Sequence, residues 1–348
     1  MNPFILIILL SGISLGTTMT LSSSHWLMAW IGLEINTLAI IPIMSRHHHP
    51  RATEAATKYF LTQATAATIM LFSATMNAWL TGLWHIQELT HPITTSMMIT
   101  ALAVKLGLAP VHSWMPDVIQ GLDLLTGLIL STWQKIAPFT LLLQIQTNAP
   151  AIIIAFGITS TLIGGWGGLN QTQLRKILAY SSIAHLGWMA LIMQFSTTLA
   201  LLTLLTYFIM TTAIFMTFKI NKTTTINMLA LSSTKFPILT STTPLLLMSL
   251  GGLPPLTGFM PKWMILQELA KQSLTPLATL AAISALLSLF FYLRLSYSMT
   301  LTMFPNTTAA TTPWRAPLSK PNLPLTISTT LSLTLLPMTP TIITTLTP

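Results

Sequence analysis

The sequence predicts an all-α polytopic membrane protein: about eleven transmembrane helices, forming two five-helix units of inverted topology that each contain a broken helix, followed by a C-terminal helix. Three observations predict this class: the scarcity of charge, the spacing of the apolar runs, and a short motif that occurs twice. Of the 348 residues only 6% are charged and 52% are hydrophobic. Because a soluble domain carries about 25% charged residues, the composition excludes a soluble globular protein.

The formal net charge of +9 comes from 15 Lys and Arg against 6 Asp and Glu. A nucleic-acid-binding protein gathers its basic residues into one footprint, whereas here they lie singly or in pairs along the chain. We therefore expect no nucleic-acid partner and interpret the excess as a signal of membrane topology. The chain contains no cysteine, so it has no thiolate to hold an iron–sulfur cluster, and electron transfer would need a partner.

Apolar runs bounded by polar residues, Pro or Gly divide the chain into the predicted spans. Lys and Arg collect on the side of the membrane from which a protein is inserted. If the N-terminus lies on that side of the membrane, the loops on the same side contain most of the basic residues. The opposite side contains Lys271, and three lysines fall within spans. The spans cover residues 2–21, 25–44, 57–80, 93–119, 122–143, 149–169, 173–194, 197–218, 238–270, 274–303 and 323–345.

Two ten-residue segments, Gly107–Pro116 and Gly252–Pro261, resemble each other. Gly, Leu, Pro, Met and Pro coincide, and Trp114 of the first stands opposite Phe259 of the second. In each copy a pair of prolines lies inside an apolar span, where a proline ring removes a backbone donor and clashes with the preceding turn. We therefore predict that spans four and nine are broken helices.

An odd number of crossings separates the two copies, so the two broken helices would cross the membrane in opposite directions. This predicts a first five-helix unit in residues 1–147, an inverted second unit in residues 148–305, and a loop with a C-terminal helix in residues 306–348. Inverted units with broken helices are typical of secondary transporters. The alternative is a chance similarity between segments of a chain rich in Gly and Pro.

Four ionisable residues fall within predicted spans, and each costs about 2.5–3.5 kcal/mol in lipid even on a lenient scale. The cost falls if a Glu pairs with a Lys, if the group loses its charge, or if water reaches it. A buried lysine stays charged beside a carboxylate and tends to release its proton without one, so such a set can form a proton relay. A static ion pair is the structural alternative. The four are Glu34 near the centre of span two, Lys105 just before the first break, Lys135 near the centre of span five and Lys262 just after the second break.

Two histidines are weaker candidates for the same chemistry. His112 lies between the prolines of the first break, and His185 lies near the middle of span seven. A neutral imidazole in such a position can pass protons, but a histidine satisfied by its neighbours in the core is an equally good interpretation. We expect no metal site and no cofactor bound by this chain.

Three segments then resemble a known family: Arg175–Met189, the broken-helix motif around Lys105, and Gly251–Pro255 leading to Lys262. They are similar to the mitochondrially encoded subunit 2 family of NADH:ubiquinone oxidoreductase, respiratory complex I, and the resemblance extends over essentially the whole chain. The Arg175–Ile183 part alone is typical of the wider antiporter-like family, which includes sister subunits of the same complex and multisubunit cation/proton antiporters.

The resemblance implies a proton-translocating subunit of the NADH:ubiquinone reductase, with no redox centre of its own. It implies that Glu34 pairs with Lys105, that Lys135 is the next lysine of the relay, and that Lys262 is the last. His112 and His185 stay weaker candidates that the resemblance does not assign. Protons would move from the matrix to the intermembrane space, driven by quinone reduction in other subunits.

The resemblance also implies the surroundings of the chain. It would be a multi-pass protein of the mitochondrial inner membrane with its N-terminus on the matrix side. NADH, FMN, iron–sulfur clusters and ubiquinone would be bound by partner subunits. The partners would be the other membrane subunits of respiratory complex I, including sister antiporter-like subunits, and lipids such as cardiolipin. A self-contained cation/proton antiporter and a non-pumping structural anchor of the complex stay open as alternatives.

Overall fold

The computed structural model describes residues 3–46, 49–89, 91–145, 150–234, 237–301 and 323–346. Within these ranges the regular secondary structure is helical, apart from two isolated β-bridges, and the predicted all-α class is confirmed. The backbone contacts divide the chain into two units, Met1–Ser160 and Thr161–Pro348. The boundary lies inside the eighth helix, slightly later than the predicted boundary after residue 147.

The first unit is built on small residues and on caps made by proline and histidine. Pro50 and Pro92 begin helices, where a missing N–H costs no hydrogen bond, and the preceding His49 and His91 cap them. Gly16 and Gly32 let the first two helices meet, since a Cβ on Gly16 would lie 2.7 Å from the Gly32 carbonyl oxygen. The helices are α1 Pro3–Ser22, α2 Trp26–Met44, α3 Pro50–Thr81, α4 Pro92–Leu106, α5 Trp114–Gly121, α6 Leu124–Ser131, α7 Trp133–Gln144 and α8 Pro150–Gly168.

The second unit packs around α10, which contacts α9, α12, α13, and the two C-terminal helices. Its part of α8 lies directly against α9, because Gly164 lets the Ala184 backbone approach to 2.6 Å from where a Cβ would stand. Short 3₁₀ helices cover Leu231–Thr234 and Leu336–Met338. The α-helices are α9 Leu174–Ile192, α10 Thr197–Asn221, α11 Ile226–Ala230, α12 Pro237–Gly251, α13 Phe259–Lys271, α14 Thr275–Thr300, α15 Leu323–Thr334 and α16 Thr339–Leu346.

Every predicted span coincides with helix in the described residues, but only some of these helices are long and apolar enough to cross a membrane alone. Within the described ranges, five helices meet that standard: α1, α2, α8, α10 and α14. α15 and α16 together would make a sixth, bent by 71°. The multi-pass character is therefore clear, and the count of about eleven spans stays a prediction.

Both predicted helix breaks are present. α4 ends at Leu106 before α5 begins at Trp114, and α12 ends at Gly251 before α13 begins at Phe259. In each motif the second proline occupies the third position of the following helix, where its missing N–H has no partner in the helix to lose. The first proline and its glycine therefore mark the break, and the second proline does not contribute to it.

Span five, predicted as a single apolar run, is interrupted near its middle. α6 ends at Ser131 and α7 begins at Trp133, so Lys135 lies in the first turn of α7 and still near the middle of the run. At this break the Thr132 N–H (3.0 Å), the Thr132 hydroxyl (2.8 Å) and the Ser131 hydroxyl (3.0 Å) all donate to the Leu128 carbonyl. Span eleven is likewise broken, at Leu335, just before Pro337.

An antiparallel β-bridge recurs at corresponding places in the two units. One joins His25, directly before α2, to His85, four residues after α3; the other joins Gln173, directly before α9, to Thr225, four residues after α10. α3 and α10 are each followed by a residue in the left-handed region, Gly82 in one case and Lys222 in the other. The bridging bonds match as well: Trp26 N to Trp84 O (3.1 Å) and Ile86 N to Ser24 O (3.1 Å) in the first unit, Leu174 N to Thr224 O (3.1 Å) and Ile226 N to Thr172 O (3.2 Å) in the second. The matching patterns support an internal repeat; its inverted orientation stays a prediction.

Candidate functional site

The first break is closed by hydrogen bonds from outside the helical pattern. Gly107 has φ +79°, a conformation that favours glycine, and its N–H donates to the carbonyls of Ala103 (2.9 Å) and Val104 (3.1 Å). The Trp114 indole Nε1 donates to the Val104 carbonyl at 3.1 Å, and the Thr159 hydroxyl donates to the Ala109 carbonyl at 2.9 Å. These bonds satisfy backbone groups that an unbroken helix would pair internally.

Lys105 lies in the last turn of α4, and only 7% of its surface is exposed. Its Nζ is buried and has no hydrogen-bond partner in the part of the chain that the structure describes. The side chain lines a cavity of ≈ 380 Å³ together with Lys135, which is 2% exposed. The structure therefore brings two of the four predicted residues to one cavity.

The rest of the polar lining of this cavity comes from groups that the sequence analysis did not single out. Asn36, Gln63 and Gln134 each place at least one buried side-chain atom here without a hydrogen-bond partner among the described residues. Buried polar atoms are normally paired with protein or water, because leaving them unpaired is costly. About 20 Å³ of the cavity can hold the centre of a water molecule, and one water needs about 10–15 Å³. The arrangement is suited to a hydrogen-bonded path between the two amines.

Glu34 lies on α2 and is half-buried. Its carboxylate Oε2 accepts a hydrogen bond from the Thr37 hydroxyl at 3.2 Å. The implied ion pair with Lys105 is not formed: among the described side chains, the ion pairs within 4.0 Å involve Lys58 and Lys271. Glu34 nevertheless interacts electrostatically with Lys105 and with Tyr59, so a modest movement of the carboxylate changes the field at the amine.

The second break has the same helix-end geometry but holds its lysine differently. Gly252 also has φ +79°, and its N–H donates to the carbonyls of Met248 (3.1 Å) and Ser249 (3.0 Å). Lys262, in the first turn of α13, reaches back so that its Nζ donates to the Gly251 carbonyl at 2.7 Å. Gly252 makes room for it, since a Cβ there would lie 2.9 Å from Lys262 Cδ.

The two candidate histidines differ in placement. His185 and Lys262 line the same cavity of ≈ 290 Å³ and a smaller one of ≈ 170 Å³, and the His185 ring centre lies 5.5 Å from that of Tyr207. His112 is half-buried, has its Nδ1 3.1 Å from the Pro110 carbonyl oxygen, and does not line the Lys105 cavity. The structure brings His185, but not His112, to a candidate lysine.

The sequence analysis also did not single out the buried tyrosines. Three of the 5 tyrosines in the chain, Tyr59, Tyr207 and Tyr292, are almost fully buried, and Tyr59 and Tyr292 line the lysine cavities. Amides and hydroxyls within apolar spans were the available sequence signal, because each is costly in lipid without a partner. In the described ranges no group of three or more His, Asp and Glu side chains is placed to hold a metal ion.

A broken helix in each of two units is typical of the class of secondary transporters and related membrane proteins. The family model described as "NADH:quinone oxidoreductase/Mrp antiporter, TM" matches residues 23–288, and the model for "NADH dehydrogenase subunit 2 C-terminus" matches residues 289–343. The chain is 67% identical over 344 residues to NADH-ubiquinone oxidoreductase chain 2 of Tetraodon nigroviridis, covering 99% of both chains, and 64% identical over 348 residues to that of Salmo salar, covering 100% of both. The chain therefore belongs to the NADH-ubiquinone oxidoreductase chain 2 family.

Solved structures agree with this membership. A chain of respiratory complex I from Thermus thermophilus with bound aureothin superposes with a TM-score of 0.86 at 27% identity, covering 99% of this chain and 80% of that one. A chain of the Mrp complex from Dietzia sp. superposes with a TM-score of 0.79 at 17% identity, covering 96% and 75%. The second likeness shows a shared fold.

Proposed function

We propose that this chain is a proton-translocating membrane subunit of NADH:ubiquinone oxidoreductase in the mitochondrial inner membrane. Its N-terminus would lie on the matrix side, and protons would move from the matrix to the intermembrane space. NADH, FMN, iron–sulfur clusters and ubiquinone belong to partner subunits in this proposal. The partners are other membrane subunits of the complex, sister antiporter-like subunits among them, and lipids such as cardiolipin.

The observation that carries the proposal is the cavity shared by Lys105 and Lys135. Two buried amines there share the lining with three carboxamides, each of which has at least one polar atom without a partner in the described structure. A scaffold that only packed against neighbours would gain nothing from buried polar groups at these positions, because replacing buried ionic groups by well-packed apolar ones is often neutral or stabilising. The buried polar groups are suited to moving protons.

In the proposed cycle, the distance of Glu34 from Lys105 sets the charge of the amine. When the carboxylate approaches, Lys105 takes a proton, because an opposite charge stabilises the ammonium form. When the carboxylate withdraws, the ammonium is left in a buried site and gives its proton to water leading to Lys135. The resemblance makes Lys262, with His185 beside it, the last group. Quinone reduction elsewhere would drive the movement of Glu34.

A self-contained cation/proton antiporter is the alternative from the transporter class. The described residues that line the Lys105 cavity include amines and amides but no carboxylate, whereas hard cations are bound by oxygen ligands, carboxylates above all. The lining therefore favours proton transfer over binding of a dehydrated cation. Ion-dependent exchange by the isolated chain in liposomes would support the antiporter instead.

The proposal is tested by substituting the relay residues in the assembled complex, reconstituted in liposomes. Lys105→Met and Glu34→Gln should lower the number of protons moved per electron. Lys271→Met is the control, since Lys271 is an exposed residue paired with Glu268 at 3.4 Å. Unchanged proton-to-electron stoichiometry in both relay variants would overturn the proposal. Impaired assembly, with normal pumping in the complexes that form, would instead indicate a structural anchor.

A further inference from the structure

Thr37 contacts one of the two groups whose separation matters in the proposed cycle and lines the cavity that holds the other. It lies one turn after Glu34 on α2 and is 6% exposed. Its hydroxyl donates to the Glu34 carboxylate Oε2 at 3.2 Å and also to the Glu34 backbone carbonyl at 2.9 Å. The same residue lines the cavity that holds Lys105. Among the described residues, Thr37 thus both bonds the Glu34 carboxylate and lines the Lys105 cavity.

The hydrogen bond from Thr37 to the Glu34 backbone carbonyl does not by itself indicate a function. Hydroxyls of many Ser and Thr residues in this chain donate to the carbonyl three residues earlier, for example Thr217 to Ile214 at 2.8 Å and Ser73 to Met70 at 2.8 Å. Such bonds satisfy a buried hydroxyl within its own helix. The second acceptor, the carboxylate of Glu34, is what distinguishes Thr37 from Thr217.

A hydroxyl with two acceptors can release one of them at low cost. If the carboxylate leaves, the Thr37 proton stays bonded to the Glu34 carbonyl, so no buried donor is left unpaired. The carboxylate in turn has a second favourable position, beside the Lys105 Nζ that has no hydrogen-bond partner among the described residues. Charge-assisted bonds of this kind are stronger than neutral ones.

We propose that Thr37 is a positioning residue that holds the Glu34 carboxylate away from Lys105 and sets the balance between its two positions. This rests on the proposed function, because the two positions matter only if the charge of Lys105 changes during turnover. Removing the hydroxyl should shift the balance toward the Lys105 position by about tenfold, corresponding to about 1.4 kcal/mol, slightly less than an unshared hydrogen bond to a charged group contributes, because the Thr37 proton is shared with the backbone carbonyl.

The test compares Thr37→Val, which keeps the shape and loses the hydroxyl, with Thr37→Ser, which keeps the hydroxyl. Both are made in the assembled complex, with Thr217→Val as the matched control for loss of a buried hydroxyl bonded only to its own helix. Infrared difference spectra report the carboxylate of Glu34, identified by its loss in Glu34→Gln, and liposomes report protons per electron. We expect Thr37→Val to move the carboxylate band and to lower pumping at least twofold, and Thr37→Ser and Thr217→Val to match the unmodified complex.

A double substitution distinguishes the positioning role of Thr37 from a general loss of function. In the Glu34→Gln background, Thr37→Val should have no further effect on pumping, because the carboxylate that it positions is gone. If Glu34→Gln abolishes pumping but Thr37→Val leaves the band and the stoichiometry unchanged, the Thr37 proposal is overturned and the proposed function stands. If Glu34→Gln pumps normally, the proposed function fails, and the infrared band alone then decides whether Thr37 positions the carboxylate. Should Thr37→Val fail to assemble, Thr37→Ala replaces it with the same expected result.

Discussion

The two helix breaks have the same backbone and treat their lysines in opposite ways. Gly107 and Gly252 share a φ of +79° and the same pair of hydrogen bonds to the preceding turn. At the first break the Trp114 indole bonds the Val104 carbonyl, and Lys105 is left without a partner in the described residues. At the second, Phe259 stands in place of Trp114 and has no donor, and Lys262 bonds the Gly251 carbonyl. The lysine is thus held by a backbone carbonyl at the second break and is available at the first.

The largest effect should come from the residue that precedes the second half-helix. Gly258 lies so close to Ser249 that a Cβ would overlap the Ser249 carbonyl oxygen. At the corresponding place in the first break stands Ser113, an exposed residue whose side chain makes no capping bond. Gly258→Ser should destabilise the complex by about 3 kcal/mol, and Ser113→Gly by a few tenths of a kcal/mol, roughly. Thermal unfolding and assembly yield measure both, and equal effects would mean that the second break is not packed more tightly than the first.

Replacing the lysine beside each break should have the second-largest effect. Lys262→Met removes the donor to the Gly251 carbonyl and should cost about 1–3 kcal/mol of stability. Lys105→Met removes an amine without a hydrogen-bond partner in the described structure, so it should leave stability unchanged or raise it. Unfolding temperatures of the two variant complexes make the comparison. Greater destabilisation by Lys105→Met would contradict the view that Lys105 is the available amine.

Trp114→Phe makes the first break resemble the second. The indole bond to the Val104 carbonyl is lost, at a cost of about 1 kcal/mol, while that carbonyl keeps the hydrogen bond from the Gly107 N–H. Because Trp114 also lines the Lys105 cavity, we expect a small loss of stability together with a lower proton-to-electron ratio. Phe139→Leu, at another buried aromatic residue in the first unit, controls for loss of packing. A normal ratio in Trp114→Phe would show that the indole does not influence the Lys105 cavity.

The smallest effect concerns a surface contact beside the first break. Lys58 on α3 contacts Glu54 at 2.8 Å and Asp117 on α5 at 3.5 Å, with all three side chains exposed. The hydrogen bond and the charge of Lys58 lower the pKa of Glu54 from its ordinary value of 4.5. Because a lowered pKa stabilises the fold above the ordinary value, the slight advantage over Lys58→Met should be present at pH 7 and vanish as the pH falls below 4.5. A difference in unfolding temperature that grows on acidification would contradict this sign.

The helix breaks that glycine and proline mark could be predicted from the sequence, and the break at Thr132 could not. The motifs at Gly107 and Gly252 mark both predicted breaks because proline lacks a donor and glycine tolerates positive φ. The break at Thr132 carries neither residue, and hydroxyl bonds like those of Ser131 and Thr132 also occur in unbroken helices of this chain, for example at Thr62 in α3.

The site shows the same division between local and tertiary information. Lys105, Lys135 and Lys262 stand out in the sequence because charge in lipid is costly. The grouping of Lys105 with Lys135 and three carboxamides depends on packing between α2, α3, α4 and α7, which no single segment encodes. For the same reason the sequence did not distinguish His185, which reaches Lys262, from His112, which does not reach Lys105.

The paired β-bridges have a consequence for how this chain tolerates change. They are made entirely by main-chain atoms, and the residues of one bridge, His25 and His85, differ from those of the other, Gln173 and Thr225. The bridging bonds themselves therefore do not depend on which side chains stand at these points, although the His25 ring also caps α2 and stacks on Trp84. Proline at one of the donating positions, such as Trp26 or Leu174, is the exchange that would remove a bridging bond.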